Sequence, residues 1–388
     1  MGILKKYNKN SGIEERVKMV NRTRLVEEFL ELVKIDSLSG KERQMCDTLK
    51  RKLENMGYMP VEDNAGEKID GNSGNILCTV KGTKNVPAIM LGAHMDTVVP
   101  GIGKKAIVDG DIIKTDGTTI LGGDDASGIA IILETMKILK EENIPHGDIQ
   151  IVFTVAEEVG LLGAKNLDYS KIHAKYGFIL DSDGRIGSAA VKAPSHHKIN
   201  VVIKGKAAHA GMEPENGISA FTIMAYAMAN MKLGRIDEET TANIGIIHGG
   251  TATNIVCDRV EIEGEARSRQ QDKLQAQTDH MKDCFVQAAE KFGGQVEFDY
   301  EVEYPAFNLP TDSGIISIMK SAAADCGIEF EAVVTGGGSD TNIINSKGIE
   351  AVDLSVGMTN VHSVKEQISI KDMIDAVTYL TAIIQNVK

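Results

Sequence analysis

The sequence predicts an α/β protein built on a mixed, largely parallel sheet with helices on both faces, interrupted by an inserted ferredoxin-like α+β domain. Three observations predict it. Apolar strands alternate with helices up to about residue 180; a run of strand, helix, two strands, helix and strand follows; the first pattern then resumes near Asn308.

Apolar residues at helical spacing (Leu25, Phe29, Val33, with Val26 and Leu30) mark a first helix, and Lys41 to Met56 a second, stopped by Gly57. The period then shortens. NILCTV (75–80) and PAIMLGA (87–93) read as strands, GIAIILETMKIL (128–139) as a helix, and DIQIVFTVA (148–156) and YGFIL (176–180) as further strands. In the insertion, KINVVIKG is a strand, ISAFTIMAYAMANM a helix, NIGIIHGG and RVEIEGEARSR strands, DKLQAQTDHMKDCFVQAAEKFG a helix and QVEFDYEVEY a strand. Helix IISIMKSAAADC, strands EAVVT and EAVDLSV, and a helix from Ile370 to Asn386 complete the outer pattern. The expected domains are residues 1–192, 193–307 and 308–388, the first and third forming one catalytic body around the insertion.

Composition narrows the function. The 388 residues carry 55 acidic and 42 basic side chains, a formal charge of -13, which repels a nucleic-acid backbone and an anionic membrane. Neither is an expected partner. MGILKKYNKN holds no apolar signal region, Lys6 stands where a myristoylation motif wants Ser or Thr, and no stretch approaches ~18 apolar residues. Cys46, Cys78, Cys257, Cys284 and Cys326 are odd in number and make no CxxC pattern, as expected of reduced thiols in a cytoplasmic protein.

In an open α/β sheet, ligands gather at the carboxyl ends of the strands. Here each apolar run ends in metal-ligand residue types: IMLGA in His94 and Asp96, IVFTVA in Glu157 and Glu158, FIL in Asp181, and VDLSVGMTNV in His362. LGGDDASG adds Asp124 and Asp125 behind a pair of turn-forming glycines. Singly, each is ordinary: an N-cap, a solvated acidic face, a polar histidine. Together they crowd carboxylates and imidazoles into one crevice, where repulsion is severe without cations. Mixed His and carboxylate donors without thiolates suit zinc, with cobalt or manganese as substitutes, and the count suits two ions, which a carboxylate can bridge at about 3.5 to 4 Å. Of the adjacent Glu157 and Glu158, one would bind metal and the other move the proton.

The set HMD (94–96), LGGDDASG (121–128), AEEVGLLGA (156–164), ILDSDG (179–184), GGGSD (336–340) and MTNVH (358–362) resembles the di-zinc metallopeptidases related to peptidase T, carboxypeptidase G, aminoacylase and succinyl-diaminopimelate desuccinylase, over nearly the whole chain. The resemblance implies His94, Asp124 and Asp181 on one zinc and Asp124, Glu158 and His362 on the other, with Asp124 bridging and a cis peptide after it. Asp183 competes with Asp181, which directly ends its strand. Glu157 would be general base and acid, and Asp96 would orient His94. GKAAHAGMEPENGISA (205–220) is similar to the family's lid segment, so His209 would help bind the oxyanion, in many relatives from the partner of a dimer. Asn254 and Arg267 match substrate-contacting positions.

Two departures stand out: Gly336 replaces the arginine that serves the peptide carboxylate in peptidase T, and Ser219 replaces an asparagine in the lid motif. The expected activity is that of a cytoplasmic, homodimeric di-zinc aminopeptidase, tripeptidase-like, acting on short peptides through a zinc-activated hydroxide, with lid closure and dimer contacts supplied by the insertion. The alternatives are an amidohydrolase deacylating N-acyl amino acids, a phosphatase, disfavoured by the scarcity of Lys and Arg around the motifs, and a silent metal-binding scaffold, disfavoured by the intact site.

Overall fold

Runs such as Ile89–His94 and Ile149–Thr154 are buried along their full length, which suits strands covered on both faces and not strands with one wet side. A computed structural model describes residues 19–388, so the reading of the first ten residues lies outside it. The strands before the insertion are β1 (Val61–Glu62), β2 (Ile76–Val80), β3 (Ile89–His94), β4 (Ile107–Asp109), β5 (Ile112–Lys114), β6 (Ile149–Thr154), β7 (Tyr176–Ser182) and β8 (Ser188–Ala193). The insertion holds β9 (Ser195–Lys204), β10 (Gly234–Arg235), β11 (Thr240–Gly249), β12 (Arg259–Ser268), β13 (Gln295–Tyr304) and β14 (Phe307–Asn308). β15 (Glu331–Val334), β16 (Glu350–Ser355), β17 (Met358–Thr359) and β18 (Gln367–Ser369) follow.

Contacts divide the chain into two units. One runs through Val191 and resumes over Leu309–Val334 and Ser339–Lys388; the other comprises Lys192–Asn308 and the short segment Thr335–Gly338. In the first, the sheet order is β1-β2-β6-β3-β7-β16-β8, with β15 also on β8. β6, β3, β7 and β16 are mutually parallel, and β2 and β8 flank them antiparallel. The α/β expectation is borne out. The helix Gly123–Glu141 lies on β3 and β7, flanked by the helices Arg22–Val33 and Ile370–Asn386. On the other face Met90, Val152 and Ile179 meet Ile344 from the helix Asp340–Ser346.

The inserted unit is an antiparallel sheet in the order β10-β11-β12-β9-β13, the ferredoxin-like arrangement. Helices Ala220–Asn230 and Gln271–Phe292 cover one face, packing Ile223 and Phe285 on Ile199, Val201, Val260 and Ile262. Ser219, the departure in the lid motif, caps the first of these helices by accepting the Thr222 N–H at 3.2 Å.

Two features escape periodicity. The helix expected from Gly128 is extended by a turn that is not helical at Asp124 and Asp125. A small sheet, β17-β18-β5-β4, is made of strands of only two or three residues.

Candidate metal centre

Parallel strands deliver their ends to one edge of the sheet, so β6, β3 and β7, which are neighbours, bring their terminal polar residues together. His94 is the last residue of β3 and pairs in register with Thr154 at the end of β6. Beyond Thr154 the chain turns through Ala156, a non-glycine residue at φ 49°, which presents Glu157 and Glu158 at the strand ends. Asp181 is the penultimate residue of β7. The Asp124 loop approaches from the side: Gly122 takes φ 72°, a left-handed conformation that side chains disfavour, and the Asp124–Asp125 peptide is cis. Gly128 is needed for closeness, since a Cβ there would sit 2.4 Å from both the Leu180 carbonyl and Asp125 Oδ1.

The two oxygens of Asp124 face different imidazoles. His94 Nε2 lies 2.9 Å from Oδ1, and His362 Nε2 lies 3.1 Å from Oδ2. His94 Nε2 is also 3.4 Å from Asp181 Oδ1, and His362 Nε2 is 3.0 Å from Glu158 Oε1. Ligand atoms of His94, Asp124 and Glu158, and of His94, Glu157 and Asp181, form two sets within 4.8 Å that could each hold a cation. All these carboxylates are nearly or fully buried, and only His362 is half exposed. The competitor Asp183 is exposed.

Electrostatics mark the cluster as short of positive charge. Burial, then the Asp181 charge, pushes the Glu157 carboxyl well above the carboxylate range. Burial does the same to Asp181, and the neighbouring Asp124 charge adds to it against the pull of His94. Burial opposes a charged His94, but the Asp181, Asp124 and Asp96 carboxylates outweigh it and hold its pKa well up. His362 is pushed up to about 10 by its hydrogen bonds to Asp124 and Glu158. Asp124 is held low, because its bonds to the two imidazoles overcome its burial. A divalent cation would neutralise the same carboxylates, and the mixed carboxylate and imidazole donor set fits zinc-type ions. The five cysteines are buried and form no disulfide, and none belongs to these two sets.

Asp96 is fully buried beneath the pair of glutamates. Its carboxylate accepts the N–H groups of Glu157 at 2.9 Å and Glu158 at 3.2 Å and the Ser39 hydroxyl at 2.6 Å. His94 Nδ1 lies nearer the Asp96 backbone oxygen, at 2.9 Å, than its carboxylate, at 3.5 Å. Both the main chain and side chain of Asp96 therefore steady the site.

His209 and Asn254 lie together in the inserted unit, where the Ala210 N–H donates to the Asn254 backbone oxygen at 2.9 Å. His209 Nδ1 accepts the N–H groups of Gly211 at 3.2 Å and Met212 at 3.1 Å, which leaves Nε2 to carry the proton of the neutral ring. Arg267 lies on β12 and is paired twice with Glu265, at 2.9 and 3.1 Å, and Glu265 also meets His196 at 3.2 Å. A Cβ at Gly336 would meet nothing within 4 Å.

Sequence reasoning gave no role to Asp125, which it named beside Asp124, and passed over Glu42, Asp353 and Glu366. Asp125 accepts the His94 N–H at 3.1 Å, Glu42 accepts the Ala156 N–H at 3.1 Å, and Asp353 accepts the Asp181 N–H at 3.1 Å. Glu366 accepts three N–H groups of the Asp124 loop. Asp353 had a usable signal, a lone charge inside the apolar run EAVDLSV; Glu42 and Glu366 had none, since each reads as a surface residue beside a loop.

The model of Peptidase family M20/M25/M40 matches residues 90–386. Protein YqjE of Bacillus subtilis (strain 168) is 50% identical over 367 residues, 95% of this chain and 99% of its own. The crystal structure of aminopeptidase PepT from Bacillus cereus ATCC 10987 superposes with a TM-score of 0.88 at 45% identity, covering 95% of this chain and 99% of that one. That of a tripeptidase from Staphylococcus aureus subsp. aureus Mu50 gives 0.92 at 42% identity, with the same coverage. The chain belongs to peptidase family M20/M25/M40.

Proposed function

We propose that this peptidase is a metal-dependent aminopeptidase that releases the N-terminal residue of short peptides, tripeptides among them, using two zinc ions per chain. The observation that carries the reading is the single Asp124 carboxylate shared between His94 and His362, with the buried Glu157 beside it. His94, Asp124 and Asp181 would hold one ion, and Asp124, Glu158 and His362 the other; cobalt or manganese could substitute. When bound, the ions supply Lewis acidity toward the scissile carbonyl and acidify the attacking water.

The chain's own residues do the rest. Glu157, kept proton-hungry by burial, takes the proton of the water and returns it to the leaving nitrogen. Asp96 holds the backbone of Glu157 and Glu158 so that one points to metal and the other to the proton. No acyl intermediate on the protein is needed. His209, with its Nε2–H free to donate, would stabilise the oxyanion, and Asn254 beside it would orient the substrate. Arg267 would touch substrate only from within its pair with Glu265.

The insertion would serve as lid and as the contact of a homodimer. Supporting this, β10 pairs only with Thr241 and Ala242 of β11, and farther along β11 Ile246 and Ile247 are exposed, as is Phe221 on the adjacent helix. Five cysteines without a disulfide suit a cytoplasmic enzyme, and among the described residues no helix is long and apolar enough to cross a membrane.

A second reading is an amidohydrolase that deacylates N-acyl amino acids or related small amides with the same site; Gly336 offers no cation that would select tripeptides by their carboxylate. One assay separates them: zinc-loaded protein with di-, tri- and tetrapeptides, free or N-acetylated, followed by mass spectrometry with and without chelator. Chelator-sensitive loss of one N-terminal residue from free peptides alone is expected. Release of acetate overturns the aminopeptidase in favour of the amidohydrolase, and no cleavage of any substrate overturns both.

A further inference from the structure

Glu366 lies four residues beyond His362 and is 2% exposed. Its Oε2 accepts the N–H groups of Leu121 and Gly122, each at 2.8 Å, and its Oε1 accepts that of Asp124 at 3.0 Å. The left-handed Gly122 turns these groups inward, so the loop forms a concave cradle of donors with the carboxylate seated in it. The fit is close: a Cβ on Gly123 would come within 3.1 Å of Oε1. With both oxygens committed to backbone donors, Glu366 is placed to hold the loop and not to bind a cation.

The other end of this side chain anchors the His362 loop. Asn360 and His362 are non-glycine residues at φ 56° and 60°, a conformation that persists only where the surroundings impose it. The loop closes when the Glu366 N–H donates to the Ser363 carbonyl at 3.0 Å, and β18 begins at the next residue and pairs with β5. One side chain thus ties together two loops 242 residues apart at Asp124. Their working atoms, Asp124 Oδ2 and His362 Nε2, lie 3.1 Å apart. The balancing charge is Lys104, itself buried and held by the carbonyls of Ile35 at 3.0 Å and Gly101 at 2.9 Å. Asp96 ties the end of β3, which carries His94, to the Glu157 and Glu158 loop in a similar way, and Glu42 holds that same loop at Ala156.

We infer that Glu366 is a positioning residue that locks the Asp124 loop to the His362 loop, so that one carboxylate stays between two imidazoles before any cation arrives. The inference rests on the metal-centre reading above. Because Asp124 is shared, loosening its loop must weaken both cation sites together.

The test is a competition titration of the full chain with zinc against a chromophoric chelator, beside steady-state kinetics. Glu366→Gln keeps the size but sets an amide N–H₂ against N–H donors; Glu366→Asp keeps the charge on a shorter stem. The expected result is two zinc ions on the unaltered chain and, in Glu366→Gln, a fall in affinity at both sites of about 10- to 100-fold. At saturating zinc, kcat falls while KM stays within about threefold, as for loss of an interaction felt in the transition state. A purely structural role would lower Tm and leave the affinities of the folded chain alone. Affinities within twofold of the unaltered chain overturn the inference, as does weakening at one site only, or failure of both variants to fold with zinc present. Failure of the unaltered chain to bind zinc overturns the metal-centre reading itself, a distinguishable outcome.

Discussion

The two sheets of this chain handle charge in opposite ways. In the larger unit β3 and β6 are buried along every residue, so ionisable groups are driven to the strand ends, where they collect beneath a shared edge. In the inserted unit β9 alternates buried and part-exposed residues, so charges lie on the uncovered face and pair across strands, as Lys204 does with Glu297, or along one strand, as Arg267 does with Glu265 on β12. The first arrangement concentrates unsatisfied negative charge in low dielectric; the second disperses it into water. Cation-dependent chemistry belongs to the first for that reason.

The largest expected effect sharpens the contrast. Glu157→Gln removes the proton carrier yet leaves the ligands, so kcat should fall by about 10²- to 10⁴-fold with two ions per chain retained. Stopped assays with metal analysis of the same sample check both halves, and unchanged turnover would remove Glu157 from its role. Next in size, Phe285→Ala empties the core of the inserted unit and should cost roughly 3 to 5 kcal/mol of its stability. Zinc stoichiometry, measured on the folded fraction, should stay the same; loss of metal would show that the units are not independent in this respect.

A third prediction concerns pH. Burial pushes Glu42 and Asp353 up to about 7 and Asp340 to about 6, against roughly 4 in the unfolded chain. Raised pKa values mean that the folded state holds the extra protons. Their stabilising effect is complete below the unfolded value and is lost as pH rises through 6 to 7. The chelated protein should therefore melt several degrees lower at pH 8 than at pH 5, and zinc should flatten the slope. Circular dichroism is the probe, since the chain has no tryptophan. A chelated Tm that rises over this range would contradict the picture of a repulsive, cation-starved cluster. The smallest effect is expected where charge is dispersed: Lys204→Ala, which breaks the pair with Glu297, should leave Tm within about 2 °C.

Much of this was legible in sequence. The helix expected from Ile370 to Asn386 and the strand QVEFDYEVEY coincide with the observed elements, because periodicity is a local property of consecutive residues. His94, Glu157, Glu158 and Asp181 were legible because a polar residue that ends a uniformly apolar run stands out. The β4, β5, β17 and β18 strands were not, since two or three residues establish no period. The non-helical start at Asp124 was hidden by a sequence, GDDASG, that suits an ordinary helix cap.

The sequence by itself determined the order of apolar runs, the residue types that end them and the membership of a metallopeptidase-like family, all carried by neighbours along the chain. Only the tertiary structure decided which backbone groups the buried acids hold. Asp96 reaches Glu157 across 61 residues, Glu42 reaches Ala156 across 114, and Glu366 reaches Leu121 across 245. Hydrogen bonds of that span exist only once the sheet has brought the strand ends together. No local pattern encodes them: two hold the Glu157 loop, and the third, from Glu366, holds the loop that carries Asp124.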